Sequence, residues 1–248
     1  MALEMRALFE FGTSLAMLAS GSLQRESAQG DGHPVLVLPG FVASDHSTVP
    51  LRTYLSNRGF EALGWGMGRN TGPHRRHRHS VIDDVVDKLH ELHRTRGRRV
   101  SLVGWSLGGV FAREVAKRAP RSVRAVVTLG SPFAGPPTAS NAWRLYQLLT
   151  GDRKHHFDAK LIESLAEPPP VPTTSIYSRT DGVVAWTSCV GTPSPIMENV
   201  EVQASHFGLG LHPLVWIAIV DRLAQAEGQW QPFDRSGWRA IAYPQSAA

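Results

Sequence analysis

The sequence predicts an α/β fold, a doubly wound, mostly parallel sheet of about six strands with helices on both faces and a short helical cap. The main observation is that short apolar runs, suited to buried parallel strands, alternate with segments of helical periodicity. The second is composition. The 248 residues are 42% hydrophobic and 19% charged, so one α/β domain can bury a substantial core.

The first strand and helix are predicted from an apolar run and a proline. Residues 35–38 read Val-Leu-Val-Leu and end before a Pro-Gly pair, as expected of a short buried strand. Residues 48–57 suit a helix because Pro50 lies where the first helical turn tolerates it. A second strand is predicted over 60–65, and a glycine-rich run follows it.

The next helix, strand and helix have clearer patterns. Residues 80–96 are amphipathic because apolar side chains recur at helical spacing, at Val81, Val85, Leu89 and Leu92. Residues 100–104 form an apolar strand that enters a glycine turn. A helix over 107–118 follows the turn and ends before Pro120.

The later half continues the alternation. Further strands are predicted over 124–129, 173–178 and 199–203, and the last helix over 212–226. Residues 1–248 are expected to form a single domain with three appended segments. These are an N-terminal helical extension over 1–30, a cap insertion over 134–170 and a surface tail over 228–248.

The turn after the third strand carries the most specific motif. Residues 104–108 read Gly-Trp-Ser-Leu-Gly, and a strand precedes them while a helix follows. This pattern is typical of a nucleophile elbow, in which a strained turn exposes Ser106. The flanking glycines are needed because a β-carbon there would press on the neighbouring strand or helix.

A serine nucleophile needs a base, and the base needs an acid to orient it. Asp181 and His206 each follow a predicted strand, in the order serine, acid, histidine, so they are the expected partners of Ser106. The competing base is His212, which precedes Pro213 and has a structural use near the cap of the last helix. The competing acids are Asp152 and Asp158, which lie away from strand ends.

The same reasoning predicts an oxyanion hole and apolar walls. The backbone N–H of Leu107 directly follows the nucleophile, and that of Phe41 lies in the loop after the first strand. Phe41, Trp105 and Phe207 flank the catalytic residues, so they are the predicted substrate-binding side chains. Apolar walls favour acyl chains over charged substrates.

Three segments carry a family resemblance. They read His-Pro-Val-Leu-Val-Leu-Pro-Gly-Phe at 33–41, Gly-Trp-Ser-Leu-Gly-Gly at 104–109 and Thr-Leu-Gly-Ser-Pro-Phe-Ala-Gly at 128–135. Over 33–226 the chain resembles the α/β-hydrolase fold superfamily, on its lipase and esterase side. The resemblance implies hydrolysis of carboxylic esters through an acyl-enzyme. Only a helical pattern precedes residue 33, where the fold often opens with two antiparallel strands, so we expect a compact version with about six parallel strands. The chain departs from many relatives in the loop after the first strand, where Pro39-Gly40 replaces the His-Gly that usually precedes the oxyanion residue.

The expected function is therefore a serine hydrolase acting on a small-molecule or lipid ester, which requires no metal or organic cofactor. Two other classes stay open. An acyltransferase would use the same triad with an alcohol or amine in place of water. A non-catalytic binding protein on a hydrolase scaffold would usually have lost a triad member.

Charge and cysteine content bound the partners and the compartment. The net charge is +5, but the basic clusters at 69–79 and 94–99 have no interleaved aromatic residues, so no nucleic-acid partner is expected. No apolar run is long enough to span a membrane, although peripheral contact through the N-terminal helix stays open. The single Cys189 excludes an internal disulfide, which suits a reducing, cytoplasmic location. The oligomeric state is not predicted.

Overall fold

The computed structural model describes residues 10, 12, 28–72, 75–76, 79–134 and 164–245. Six strands form one sheet: β1 Pro34–Leu38, β2 Glu61–Gly64, β3 Val100–Trp105, β4 Val123–Leu129, β5 Thr173–Tyr177 and β6 Met197–Glu201. Their order is β2-β1-β3-β4-β5-β6, and every neighbouring pair is parallel. The predicted parallel sheet is confirmed. Its direction of winding reverses between β1 and β3, where sites in open α/β sheets usually form.

Helices cover both faces of this sheet. The described helices are α1 Val49–Asn57, α2 Val81–Arg96, α3 Leu107–Arg118, α4 Pro213–Leu223 and the short α5 Arg239–Ala242. On one face α1 and α4 meet where Tyr54 stacks on Trp216, with ring centroids 5.2 Å apart. On the other face α2 and α3 share a second core cluster through Leu89 and Phe111. None of the helices described is long and apolar enough to cross a membrane.

The last strand begins earlier than its sequence pattern predicts. It starts at Met197 rather than at 199, and all five of its residues are buried. The start was missed because Glu198 is polar and breaks the apolar pattern. In the structure its side chain is hydrogen-bonded inside the fold. Its carboxylate accepts hydrogen bonds from Arg222 Nη1 at 2.7 Å and from the backbone N–H of Phe233 at 2.8 Å. Hydrogen bonds to these partners offset the cost of burying the Glu198 carboxylate. Its polarity therefore led the sequence-based prediction to start the strand too late.

The segment after α4, which contains α5, differs from the expected surface tail. Within 228–245, Phe233 and Tyr243 are buried and their rings meet edge to face with centroids 4.7 Å apart. The Tyr243 hydroxyl donates to the carbonyl of Leu214 at 2.8 Å. These two aromatic side chains attach the segment to the domain, while most of its other described residues are exposed or half-buried. Most of the predicted N-terminal extension and cap lies outside the described residues.

Candidate active site

Ser106 lies at the tip of the turn between β3 and α3, in a backbone conformation that side chains rarely adopt. Its φ is 53° and its ψ is −121°. A non-glycine residue with positive φ stores strain, which persists only where the surroundings enforce it. Here the Ser106 backbone N–H donates to the carbonyl of Leu129 at 2.8 Å, so the neighbouring strand β4 fixes the turn.

The glycines around this serine are required by close packing. A β-carbon on Gly104 would lie 2.3 Å from the Cα of Gly109, and one on Gly108 would lie 2.4 Å from the carbonyl oxygen of Leu38. Both contacts are far shorter than any real carbon contact. The helix after the serine therefore packs directly onto β1 and β3, as the sequence pattern predicts.

His206 and Asp181 form a buried pair at the same edge of the sheet. Asp181 follows β5 and His206 follows β6, and His206 Nδ1 lies 2.7 Å from Asp181 Oδ2. The two side chains are only 6% and 2% exposed. The second carboxylate oxygen, Oδ1, accepts the backbone N–H groups of Val183 and Val184 at 2.8 and 2.7 Å. Because the carboxylate accepts the Nδ1 proton, Nε2 is the nitrogen that can exchange a proton with a nucleophile.

Contacts through neighbouring residues bring this pair close to the serine turn. The indole N–H of Trp105, next to Ser106, donates to the carbonyl of His206 at 3.1 Å. Gly130 follows the residue that binds the Ser106 N–H. A β-carbon on Gly130 would lie 3.1 Å from Asp181 Oδ2 and 3.3 Å from His206 Nδ1. The three predicted catalytic residues thus share one edge, at the carboxyl ends of β3, β5 and β6.

The loop after β1 passes directly beside the serine. We call residues 39–43 the oxyanion loop. A β-carbon on Gly40 would lie 3.4 Å from the Ser106 Cβ, and Phe41 follows immediately. Leu107 is the first residue of α3, where backbone N–H groups have no carbonyl partner within the helix. Both predicted donors therefore lie on segments that flank Ser106.

The predicted substrate-binding side chains surround the pair to different degrees. Phe207 is 52% exposed, and its ring meets the His206 ring edge to face with centroids 6.0 Å apart. Trp105 is half-buried, with its ring centroid 6.5 Å from that of His206. Phe41 is also half-buried. An apolar rim therefore lies next to the histidine.

The competing candidates fall elsewhere. His212 is the N-cap of α4, and its Nδ1 accepts the backbone N–H of Leu214 at 3.2 Å. This is the structural use that its position before a proline predicts. Asp152 and Asp158 lie outside the described residues.

Sequence reasoning missed Glu10, which holds the loop that carries His206. Glu10 is 7% exposed, and its Oε1 accepts the backbone N–H of Ser205 at 3.0 Å. Its Oε2 accepts the Ser205 hydroxyl at 2.5 Å. That hydroxyl oxygen in turn accepts the N–H of Gly208 at 2.9 Å, which braces the loop on both sides of His206. The contact joins residues 195 positions apart, so no local sequence pattern predicts it.

The chain has relatives among known proteins. A family profile described as the alpha/beta hydrolase fold matches residues 33–153. The chain is similar to the human protein Serine hydrolase BPHL, 30% identical over 131 residues that cover 49% of this chain and 45% of the relative. The mouse protein of the same name is 28% identical over 125 residues, covering 48% and 43%. The matches therefore span less than half of the length of these curated relatives.

Solved structures share the fold at low sequence identity. The mature form of Bacillus licheniformis lipase BlEst2 aligns with a TM-score of 0.59 and 16% identity, over 81% of this chain and 95% of that one. Aspergillus fumigatus lipase B also gives a TM-score of 0.59 and 16% identity, over 80% and 54%. With the six-stranded parallel sheet and the serine turn after β3, these findings show that the chain has an α/β-hydrolase fold and is similar to that family over residues 33–153.

Proposed function

We propose that this protein is a serine hydrolase that cleaves carboxylic esters through Ser106, His206 and Asp181. One observation carries the proposal: a strained serine lies at the same sheet edge as a buried histidine–aspartate pair 2.7 Å apart. Strained backbone and a buried, oriented histidine are costly, and they concentrate at sites where chemistry needs them. The name of the human relative, a serine hydrolase, agrees with this class of reaction.

Acylation begins when Ser106 Oγ attacks the ester carbonyl carbon and His206 Nε2 accepts the hydroxyl proton. Asp181 stabilises the imidazolium that forms. The backbone N–H groups of Leu107 and Phe41 donate to the oxyanion of the tetrahedral intermediate. The intermediate collapses as His206 gives the proton to the departing alkoxide oxygen, which leaves an ester of Ser106 and free alcohol.

Deacylation repeats the sequence with water. His206 accepts a proton from the water molecule as its oxygen attacks the acyl carbon. The second intermediate expels Ser106 Oγ, which regains its proton from His206, and the carboxylic acid leaves. Every proton passes through His206, so the reaction needs no metal and no organic cofactor.

The apolar rim supports esters with a hydrocarbon acyl chain as the substrate class. Phe207 is 52% exposed and its ring meets that of His206, and Val42, in the loop that passes beside Ser106, is 42% exposed. Burying an acyl chain against these apolar side chains removes hydrocarbon surface from water, which favours binding. A charged group would gain no such stabilisation there. The substrates we propose are therefore carboxylic esters of small molecules or lipids.

The experiment combines labelling and turnover. The wild type should react with a fluorophosphonate probe at Ser106 and hydrolyse short p-nitrophenyl esters. Ser106→Ala should lose labelling and lower kcat on the order of 10³-fold or more while the protein stays folded. Ser47→Ala is the matched control, because the half-buried Ser47 hydroxyl donates to the Ser44 carbonyl within a short 3₁₀ helix that precedes α1. It should keep both activities.

Three outcomes would overturn the proposal. Labelling or turnover that survives in Ser106→Ala would show that Ser106 is not the nucleophile. A wild type that is labelled but forms product only with an added alcohol would be an acyltransferase. A folded wild type that is neither labelled nor active would be a binding protein on a hydrolase scaffold.

A further inference from the structure

Asn70 is a fully buried residue whose hydrogen bonds enclose the proposed oxyanion donor. Its side-chain Nδ2 donates to the carbonyl of Pro39 at 2.8 Å. Its backbone carbonyl accepts the N–H of Val42 at 2.7 Å, and its backbone N–H donates to the carbonyl of Ala43 at 2.8 Å. These three anchors lie on both sides of Phe41, so a single residue fixes the loop before and after the proposed donor.

The oxyanion loop needs such support because its own backbone is strained. Val42 has a φ of 54°, and a β-branched residue is a genuine outlier in this region. Its side chain is 42% exposed, so burial of that side chain does little to hold the conformation. The hydrogen bond from the Val42 N–H to Asn70 is therefore one of the contacts that keep the strained turn in place.

Asn70 itself stands on a rigid support, the glycine-rich loop over 64–72. Asp45 Oδ1 accepts the backbone N–H of Trp65 at 2.9 Å, and the Trp65 indole N–H donates to the carbonyl of Gly68 at 2.9 Å. Lys88 Nζ donates to the Trp65 carbonyl at 2.8 Å. The Trp65 side chain is 1% exposed, so this loop is anchored in the core next to the site.

We propose that Asn70 is the positioning residue of the oxyanion hole. It holds the oxyanion loop so that the Phe41 N–H points at the oxygen that becomes negatively charged when Ser106 attacks. The inference rests on the proposed function, since an oxyanion forms only if Ser106 attacks a carbonyl. A misplaced donor weakens an interaction made mainly in the transition state, so it lowers kcat and leaves KM nearly unchanged.

The test uses Asn70→Asp and Asn70→Ser in the full chain. Asn70→Asp keeps the size of the side chain but removes the donor to Pro39 and sets a carboxylate against that carbonyl. Asn70→Ser shortens the side chain and serves if the aspartate variant fails to fold. We expect kcat on a p-nitrophenyl ester to fall about 10- to 100-fold with KM within about threefold, less than the loss expected for deleting a donor. Affinity for an alkyl trifluoromethyl ketone, whose serine adduct carries an oxyanion, should fall by the same factor as kcat.

Asn199→Ala is the matched control because Asn199, in β6, is also a buried asparagine whose side chain holds a neighbouring loop. Its Oδ1 accepts the N–H of Gly191 at 3.0 Å and its Nδ2 donates to the carbonyl of the same residue at 2.7 Å. Its loss should lower stability and leave kcat and ketone affinity unchanged. Equal kcat losses in the Asn70 and Asn199 variants would show that Asn70 is only structural.

The outcomes separate this inference from the function on which it rests. A wild type without turnover or labelling would remove the proposed function. A wild type that loses activity in Ser106→Ala but keeps kcat and ketone affinity in a folded Asn70 variant would overturn the role of Asn70 alone.

Discussion

At the scale of single residues, Ser106 combines chemistry with backbone strain. Its φ of 53° is one that glycine adopts without steric penalty. The serine side chain therefore stays in this turn at the expense of stability, which is a common balance at functional sites. The same balance applies at Val42, the other non-glycine residue with positive φ among those described.

This strain predicts an unusual order of stability among variants. Ser106→Gly should have a free energy of unfolding about 1 kcal/mol higher than Ser106→Ala, because both lose the hydroxyl but only glycine relieves the strain. Urea denaturation of the two variants measures the difference. At Ser47, where φ is not positive, the glycine variant should instead be the less stable one. An alanine variant at 106 that matches or exceeds the glycine variant would contradict the strain argument.

At the scale of elements, α4 shows how two nearby histidines take different tasks. His206 lies in the loop after β6, paired with a buried carboxylate, whereas His212 begins α4 and accepts a backbone N–H from its first turn. A helix N-terminus has unsatisfied donors, and an accepting side chain there stabilises it. The two histidines differ in function because they occupy different places in the fold, one beside a buried carboxylate and one at a helix N-terminus.

This division predicts opposite phenotypes. His212→Ala should lower the free energy of unfolding by about 1 kcal/mol without changing kcat, and His212→Asn should restore part of the stability because asparagine also caps. His206→Asn should lower kcat on the order of 10³-fold or more. Thermal unfolding and ester hydrolysis measured on the same preparations provide both readouts. Loss of kcat in a folded His212→Asn variant would reassign the base.

The elements themselves were largely predictable, because their patterns are local. The six strands and the four longer helices follow apolar runs and helical spacing, and the glycines around Ser106 mark its turn. Glu10 and Asn70 were not predictable. Glu10 meets the His206 loop across 195 positions of sequence, and the Asn70 side chain donates to the carbonyl of Pro39 across 31 positions, so only the fold brings these groups together. The burial of Phe233 and Tyr243 was also missed, because it depends on contacts between distant segments, such as the hydrogen bond from Tyr243 to Leu214.

At the scale of the whole molecule, the two ends of the sheet differ in their chemistry. The carboxyl ends of the strands carry the proposed catalytic residues, whereas the amino ends carry a cluster of charged and polar groups. Asp31 accepts hydrogen bonds from Arg98 and Arg124, each shorter than 2.9 Å, and lies 2.6 Å from the Nδ1 of His33. The His33 Nε2 lies 2.8 Å from the Ser101 hydroxyl. This cluster ties the starts of β1, β3 and β4 together.

Titration of this cluster should make stability depend on pH. Burial is the largest cause that lowers the pKa of His33 below its ordinary 6.5, and it outweighs the hydrogen bond to Asp31. For Asp31, burial would raise the pKa, but hydrogen bonds from Arg124 and His33 outweigh it and hold the pKa well below 3.8. In both cases the folded state binds the proton less readily than the unfolded chain. Stability is therefore complete above the unfolded pKa and is lost as pH falls.

The His33 contribution can be isolated because it is lost at milder pH than that of Asp31. The free energy of unfolding of the wild type should decline as pH is lowered from about 7.5 to about 5, and His33→Asn should show a shallower decline because asparagine does not titrate. Denaturation with urea at a series of pH values measures both slopes. Ser101→Ala removes a partner of His33 but keeps the imidazole, so it should keep the steeper slope. Parallel curves for the wild type and His33→Asn would show that His33 does not couple protonation to folding.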